Sequence, residues 1–522
     1  MHAHKQDKTN MLHRTRTLVC CVAVALLASL AIGGGPTASG VVGRAEARSL
    51  LGQIPGFDLF MEVSYNILDT VASNSGDLLD NVNRRVSECL DGQSCPYGGK
   101  DPDAKRNVVQ IIESRGFKAE EHDVITKDGY ILSVQRIINP LVAPEHRAKL
   151  KPVILQHGLL SSSVDWVINS VDVRPTKWPA EDCTDDDDDS DDDDEPNTVE
   201  RHEKQVANNN QLPGKDSQEH PNALGFYLAN EGFDVFLGNS RGNVYGQRHM
   251  NLSSWQPKFW DFTFDEQIKF DLPDTIEFVQ KLTRHTKVGY VGHSQGTTMA
   301  FGLLADRPEF ADIIEPVVTL APVAYARHTL SPVKYFAVYT PIFSHVNMWF
   351  GSSNAVVRYL GPQVCGPEFM RREICANIVF LSCGFDEAEF DESRASAYMA
   401  HMPSGTSVKN IAHWGQAVLS GRFAHFDRGI LANQIRYNST QPPAYDLGAI
   451  RSKSIVMFTA ENDWLAAPRD VARLKQELRV KPWKVYNLTE SVEKWNHIDF
   501  VYAKDAGKLV NTKIVEAMHF FK

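Results

Sequence analysis

Short apolar runs recur along the chain, each closing on a polar or glycine-containing corner. The first three are Pro152-Val153-Ile154-Leu155-Gln156-His157-Gly158, Asp234-Val235-Phe236-Leu237-Gly238-Asn239 and Val288-Gly289-Tyr290-Val291-Gly292-His293. Val317-Val318-Thr319-Leu320 and Ser454-Ile455-Val456-Met457-Phe458 follow. Runs this short and this uniformly apolar predict strands buried on both faces. Helical periodicity lies between them, over residues 222–231 and 270–283. Strand and helix therefore alternate, which predicts an α/β fold with a mostly parallel central sheet flanked by helices. Upstream, a helical stretch at residues 108–112 gives way to alternating apolar positions on either side of Lys127-Asp128-Gly129, the pattern of a β-hairpin. The interval 327–445, between the fourth and fifth runs, is too long for one crossover and predicts an inserted, mainly helical cap or lid domain.

The N-terminus departs from this pattern. Lys5, Lys8, Arg14 and Arg16 precede an apolar run over residues 18–32 and then small residues, the layout of a secretory signal peptide over residues 1–35. A membrane anchor is the competing expectation, but the run falls short of the roughly 20 residues a spanning helix needs, so no stable transmembrane span is expected after cleavage. Residues 36–103 form an N-terminal extension with no legible chemistry. Core residues are then expected at 104–326 and 446–522.

Charge changes the picture in one place. Of the formal net charge of -11, residues 171–219 contribute 17 acidic against 5 basic side chains, which leaves the rest near neutral. The near-continuous aspartates at 185–195 repel one another and bury nothing, so an acidic disordered insertion is expected over 171–219. Spaced oxygen ligands around a turn, as a Ca²⁺ loop requires, are missing there, so no metal is expected. No dense basic face with interleaved aromatics points to nucleic acid.

Cysteine and sequon placement agrees with a secretory address, secreted or lysosomal. Cys89 with Cys95 and Cys365 with Cys375 are close pairs suited to disulfides in an oxidising compartment. Cys183 has no evident partner, and Cys383, in an apolar stretch, is expected as a buried free thiol. Glycosylation sequons stand at Asn251, Asn438 and Asn487.

The chemistry concentrates after the third run. Gly292-His293-Ser294-Gln295-Gly296 joins a buried strand to the helix-forming stretch from Thr297 to Leu304. A tight strand-to-helix turn leaves no room for a Cβ at either glycine and projects the serine outward, which marks Ser294 as a nucleophile. A serine hydroxyl needs a base, and the base needs a carboxylate, in the chain order Ser, acid, His. His497, in Trp495-Asn496-His497-Ile498-Asp499-Phe500, suits the base; His413 is its rival and is taken as a cap residue. The corner Thr459-Ala460-Glu461-Asn462-Asp463-Trp464 offers an acid, with Glu461 and Asp499 as competitors to Asp463. Two N–H donors are expected for an oxyanion, one from Gln295 and one from Leu159, with Gly158 letting the chain turn.

Taken together, His157-Gly158-Leu159 with Asp165-Trp166, Asn239-Ser240-Arg241-Gly242-Asn243, the segment around Ser294, Asn462-Asp463-Trp464-Leu465-Ala466 and Asn496-His497-Ile498-Asp499-Phe500 resemble the acid lipase family, which includes gastric and lysosomal lipases. The resemblance runs from about Asn107 to the C-terminus. It implies an α/β-hydrolase fold and a triad of Ser294, Asp463 and His497. It also implies an oxyanion hole from Leu159 and Gln295, and hydrolysis of triacylglycerols or sterol esters at a lipid–water interface, with no cofactor. Gly405-Thr406-Ser407-Val408-Lys409-Asn410 and His413-Trp414 are similar to the family's cap, and Cys365, Cys375 and Cys383 to its cap disulfide and free thiol. The acidic insertion and the extension before residue 104 have no counterpart in that pattern. Tyr335, Phe336, Tyr339, Phe343, Trp349 and Phe350 crowd the early cap, either as core or as a lid facing lipid.

Overall fold

The computed structural model describes residues 101–177, 220–351 and 382–522. The signal segment, the extension up to residue 100, the aspartate run, Cys89, Cys95, Cys183, Cys365 and Cys375 lie outside the described residues.

The five apolar runs become β3 (Pro152–Gln156), β4 (Asp234–Gly238), β6 (Val288–His293), β7 (Ile314–Leu320) and β10 (Ile455–Thr459). The hairpin forms β1 (Lys118–Ile125) and β2 (Tyr130–Ile138), paired antiparallel with Val124 opposite Leu132. With β5 (Arg248–His249) and β11 (Lys484–Asn487) they make a nine-stranded sheet in the order β1-β2-β4-β3-β6-β7-β10-β11, β5 pairing with β2. From β4 to β11 every pairing is parallel. Side chains alternate between two cores, as strand geometry demands. Val153, Leu155, Val235, Leu237, Val291 and Val456 enter one core, while Ile154, Phe236, Tyr290, Ile455 and Met457 enter the other.

Helices close both faces. They are α1 (Val108–Ser114), α2 (Leu224–Asn230), α3 (Leu272–Thr283), α4 (Gln295–Asp306), α5 (Ala395–His401), α6 (Val408–Ser420), α7 (Ile430–Tyr437), α8 (Pro468–Glu477) and α9 (Thr512–Phe520), counting described α-helices of seven residues or more and leaving out 3-10 helices. Asn107 starts α1 with a capping box to Gln110. α2 and α9 cover one core through Phe226, Leu228, Ile514 and Met518; α3 and α4 cover the other through Leu272, Ile276, Phe301 and Leu304. Among the described residues no helix is long and apolar enough to cross a membrane.

β3 lies between β4 and β6, so the winding direction reverses there. Such a reversal splays the loops leaving the carboxyl ends of the strands and opens a crevice between them. The corner after β3 and the turn after β6 both face that crevice, and both carry expected site residues.

Two boundaries differ from expectation. Asp103, assigned to the extension, is fully buried and pairs with Arg115, with Arg394 at 2.9 Å and with Arg106 at 3.0 Å. Burial opposes its charge, but the Arg115 and Arg394 guanidinium groups hold its pKa below the ordinary carboxylate value. A buried carboxylate with such partners fixes the chain, so ordered core begins before residue 104. Similarly, Val173 is in the core, and Thr176 donates its N–H to Asn230 at 3.0 Å. Residues 171–177 therefore belong to the body and not to the acidic insertion.

The described parts of the interval 327–445 are mainly helical, α5 to α7, with one small pairing of β8 (Trp349–Phe350) and β9 (Thr406–Ser407). They are stitched closely to the core. Asp265 accepts from the Tyr445 hydroxyl at 2.6 Å and the Phe426 N–H at 2.8 Å, and lies 3.5 Å from His425, whose other nitrogen is 3.6 Å from Asp306. Burial works against charge on His425, but Asp265 and Asp306 outweigh it and hold its pKa above the ordinary value. A raised folded-state pKa contributes stability in full below about pH 6.5, lost as pH climbs through the raised value. His425→Gln should therefore lower the melting temperature by roughly 1–3 °C near pH 5 and by less near pH 8. Thermal melts at both pH values check this; an equal deficit at each would contradict it.

Candidate active site

β6 ends at His293 and α4 starts at Gln295, leaving Ser294 alone in the turn at φ 53°, ψ -117°. That left-handed backbone is costly for a residue with a Cβ and persists because its neighbours over-determine it. A Cβ on Gly292 would stand 2.7 Å from the Gly296 backbone, and one on Gly296 would stand 2.5 Å from the Gln156 carbonyl oxygen. Both glycines are thus required by close approach.

Ser294 Oγ lies 2.8 Å from His497 Nε2. His497 Nδ1 lies 2.9 Å from each Asp463 oxygen. Asp463 Oδ1 also accepts the N–H groups of Leu465 at 2.9 Å and Ala466 at 2.7 Å. Asp463 and His497 are buried, while Ser294 is half-exposed. A continuous relay thus runs from a buried carboxylate to a reachable hydroxyl, the arrangement that lets an imidazole take the serine proton and stabilises the imidazolium that forms.

The structure separates the competing residues. Glu461 is exposed, and its backbone N–H donates to Thr489 Oγ1 at 2.7 Å. Asp499 turns away from His497 and accepts the Asn496 N–H at 2.6 Å, while Asn496 Oδ1 accepts the Ile498 N–H at 2.9 Å. Asp499 therefore shapes the turn that carries His497, and burial raises its pKa well above the ordinary value. His413 stacks on Phe264 at 3.6 Å and donates to the Ala424 carbonyl at 2.9 Å. Burial lowers its pKa to about 4.

Leu159 and Gln295 bracket the serine, and among the described residues neither backbone N–H has a hydrogen-bond partner. Gly158 opens the turn, its carbonyl accepting the Ser161 N–H at 3.3 Å, but not through a positive φ of its own. Its role is close approach, since a Cβ there would lie 3.0 Å from Ser294 Cβ; the positive φ of 61° falls at Leu160. Behind the loop, His157 Nδ1 donates to the Gly158 carbonyl at 2.7 Å, so Nε2 accepts the Ser240 N–H at 3.1 Å. Asn243 donates to Asn239 Oδ1 at 2.8 Å, which also accepts the Ser163 N–H at 3.0 Å. Burial lowers His157 to about 4. Burial, with His497 beside it, lowers His293 to about 3. Both rings are neutral supports near the serine.

The family described as "Partial alpha/beta-hydrolase lipase region" matches residues 108–170, and "alpha/beta hydrolase fold" matches residues 210–339. The gastric triacylglycerol lipase of Bos taurus is 36% identical, over 80% of this chain and 92% of its own. That of Mus musculus is 35% identical, over 81% and 93%. The lysosomal acid lipase/cholesteryl ester hydrolase of Homo sapiens is 35% identical, over 81% and 94%. The chain belongs to the acid lipase family.

Two supports of this acid lipase site escape a sequence reading. The cap segment at Cys383 braces the acid and base loops: its carbonyl accepts the N–H of Trp464 at 3.2 Å and of His497 at 3.4 Å, and the Gly384 carbonyl accepts Asn496 Nδ2 at 3.2 Å. Cys383 itself is a buried free thiol, its pKa pushed up by burial. The second support surrounds the Gln295 side chain, which bonds to Gln267, Asn410 and Trp414. Asn410 and Trp414 stand four residues apart on α6, so a polar pair on a helix's buried face was the available signal. Of the sequon asparagines, Asn251 and Asn438 are exposed, whereas Asn487 is half-buried.

Proposed function

We propose that this acid lipase hydrolyses carboxylic ester bonds of neutral lipids, triacylglycerols or sterol esters, through an acyl-enzyme on Ser294. The observation that carries the proposal is the unbroken hydrogen-bond relay from Asp463 through His497 to Ser294. Ser294 Oγ attacks the ester carbonyl carbon while its proton passes to His497 Nε2. The Leu159 and Gln295 N–H groups, both unpartnered among the described residues, stabilise the carbonyl oxygen as it becomes an oxyanion. His497 then protonates the leaving alcohol oxygen, the C–O bond breaks, and the acyl group stays on Ser294. Water repeats the sequence with His497 as base, releasing the fatty acid and restoring the serine. The family relatives named gastric triacylglycerol lipase and lysosomal acid lipase support lipid esters as substrate and a secreted or lysosomal destination.

Purified protein should release oleate from emulsified triolein or cholesteryl oleate between acidic and neutral pH. The Ser294→Ala protein serves as the blank. Hydrolysis confined to dissolved short-chain esters would replace the lipase with a soluble carboxylesterase.

A further inference from the structure

The Gln295 side chain has no role in the chemistry above, yet it is buried and held by three groups from outside the elbow. Its Oε1 accepts from Asn410 Nδ2 at 3.0 Å and from Trp414 Nε1 at 2.7 Å; its Nε2 donates to Gln267 Oε1 at 2.9 Å. Asn410 and Trp414 both belong to α6, in the cap interval, and neither is hydrogen-bonded to Ser294, His497 or Asp463. Asn410 is itself fixed, since its N–H is capped by Ser407 Oγ at 2.9 Å and its side chain also donates to Thr406 Oγ1 at 3.1 Å.

We propose that Asn410 and Trp414 are positioning residues, through which the cap helix holds the Gln295 backbone N–H at the oxyanion. This rests on the assignment of that N–H as an oxyanion donor. Gln295 is the first residue of α4, so its N–H has no helical partner to aim it, and the preceding serine is strained. Three hydrogen bonds on the carboxamide remove the freedom of the residue whose amide must be aimed. Aim matters because donors act over a narrow range of about 2.7–3.1 Å, and a misplacement of about 1 Å can cost 10²-fold in rate. A contact that served only to pack the cap would be met by apolar side chains, yet α6 brings two polar groups to Gln295 even though Asn410 Oδ1 is left buried without a hydrogen-bond partner among the described residues.

Trp414→Phe deletes the indole N–H and keeps an aromatic ring against Phe264; Asn410→Ser removes the other donor. The measurement is kcat per site titrated by a p-nitrophenyl alkylphosphonate, with KM on p-nitrophenyl butyrate and the Kd of an alkylboronic acid, which forms a tetrahedral anion on serine. Each variant should lose about tenfold in kcat per titrated site and about tenfold in boronate affinity. KM should stay within about twofold, because acylation and deacylation share the oxyanion. A purely structural role would reduce the number of titratable sites or the melting temperature and leave kcat per site unchanged. That result in either folded variant overturns the proposal. If the phosphonate labels a serine other than Ser294 in the wild-type protein, the oxyanion assignment falls first and the proposal with it. Wild-type labelling at Ser294 with unchanged variants overturns the positioning role alone.

Discussion

Replacing Ser294 with alanine lowers kcat on a soluble ester by about 10⁵- to 10⁶-fold, the scale seen when a hydrolase loses its nucleophile. The size follows from the mechanism, because without Oγ no acyl-enzyme forms and only the oxyanion donors remain to act on water. Alanine keeps the Cβ and the same backbone requirement, and the glycines at 292 and 296 that permit the turn are untouched. Stability should therefore stay near the wild-type value. Initial rates with p-nitrophenyl butyrate, beside a thermal melt, separate lost chemistry from lost fold.

Asp463→Asn should cost about 10⁴-fold in kcat, with the fold retained. The Leu465 and Ala466 N–H groups both point at Oδ1, so the single oxygen of an asparagine must occupy that position. Its NH₂ group then faces His497 Nδ1, where Oδ2 had stood. An amide that donates to Nδ1 places the imidazole proton on Nε2, the nitrogen that must accept from Ser294. The variant thus holds the wrong tautomer in correct geometry. A loss below about tenfold would move the orienting acid elsewhere.

The parallel strands were legible because burial on both faces leaves no polar alternation, and β3, β4, β6, β7 and β10 each read as an apolar run. β11 was not, since it is an edge strand with half of Lys484–Asn487 exposed. Ser294 and His497 were legible from local context, the first by two flanking glycines and the second by chain order. The acid was not. Glu461 and Asp463 lie in the loop after β10 and Asp499 opens the short helix Asp499–Tyr502, and which carboxylate meets His497 depends on how Leu465, Ala466 and Asn496 direct their N–H groups. Gly158 opens the turn as its sequence position suggested, but glycine is needed there for space against Ser294, and the positive φ of 61° falls at Leu160, a residue that carries no such signal. The Cys383 brace and the contact of Asn410 and Trp414 with Gln295 join segments more than 80 residues apart in sequence; the i, i+4 spacing of the α6 pair hints at a shared partner but does not say which one.

Covalent trapping tests the central claim most directly. The protein is incubated with a long-chain alkylphosphonate p-nitrophenyl ester, digested, and the modified peptide sequenced by mass spectrometry. One adduct per chain on Ser294, formed at the same rate as triolein hydrolysis is lost and abolished in Ser294→Ala, is the predicted result. An adduct on another residue, or full hydrolysis of triolein after Ser294 is occupied, would contradict it.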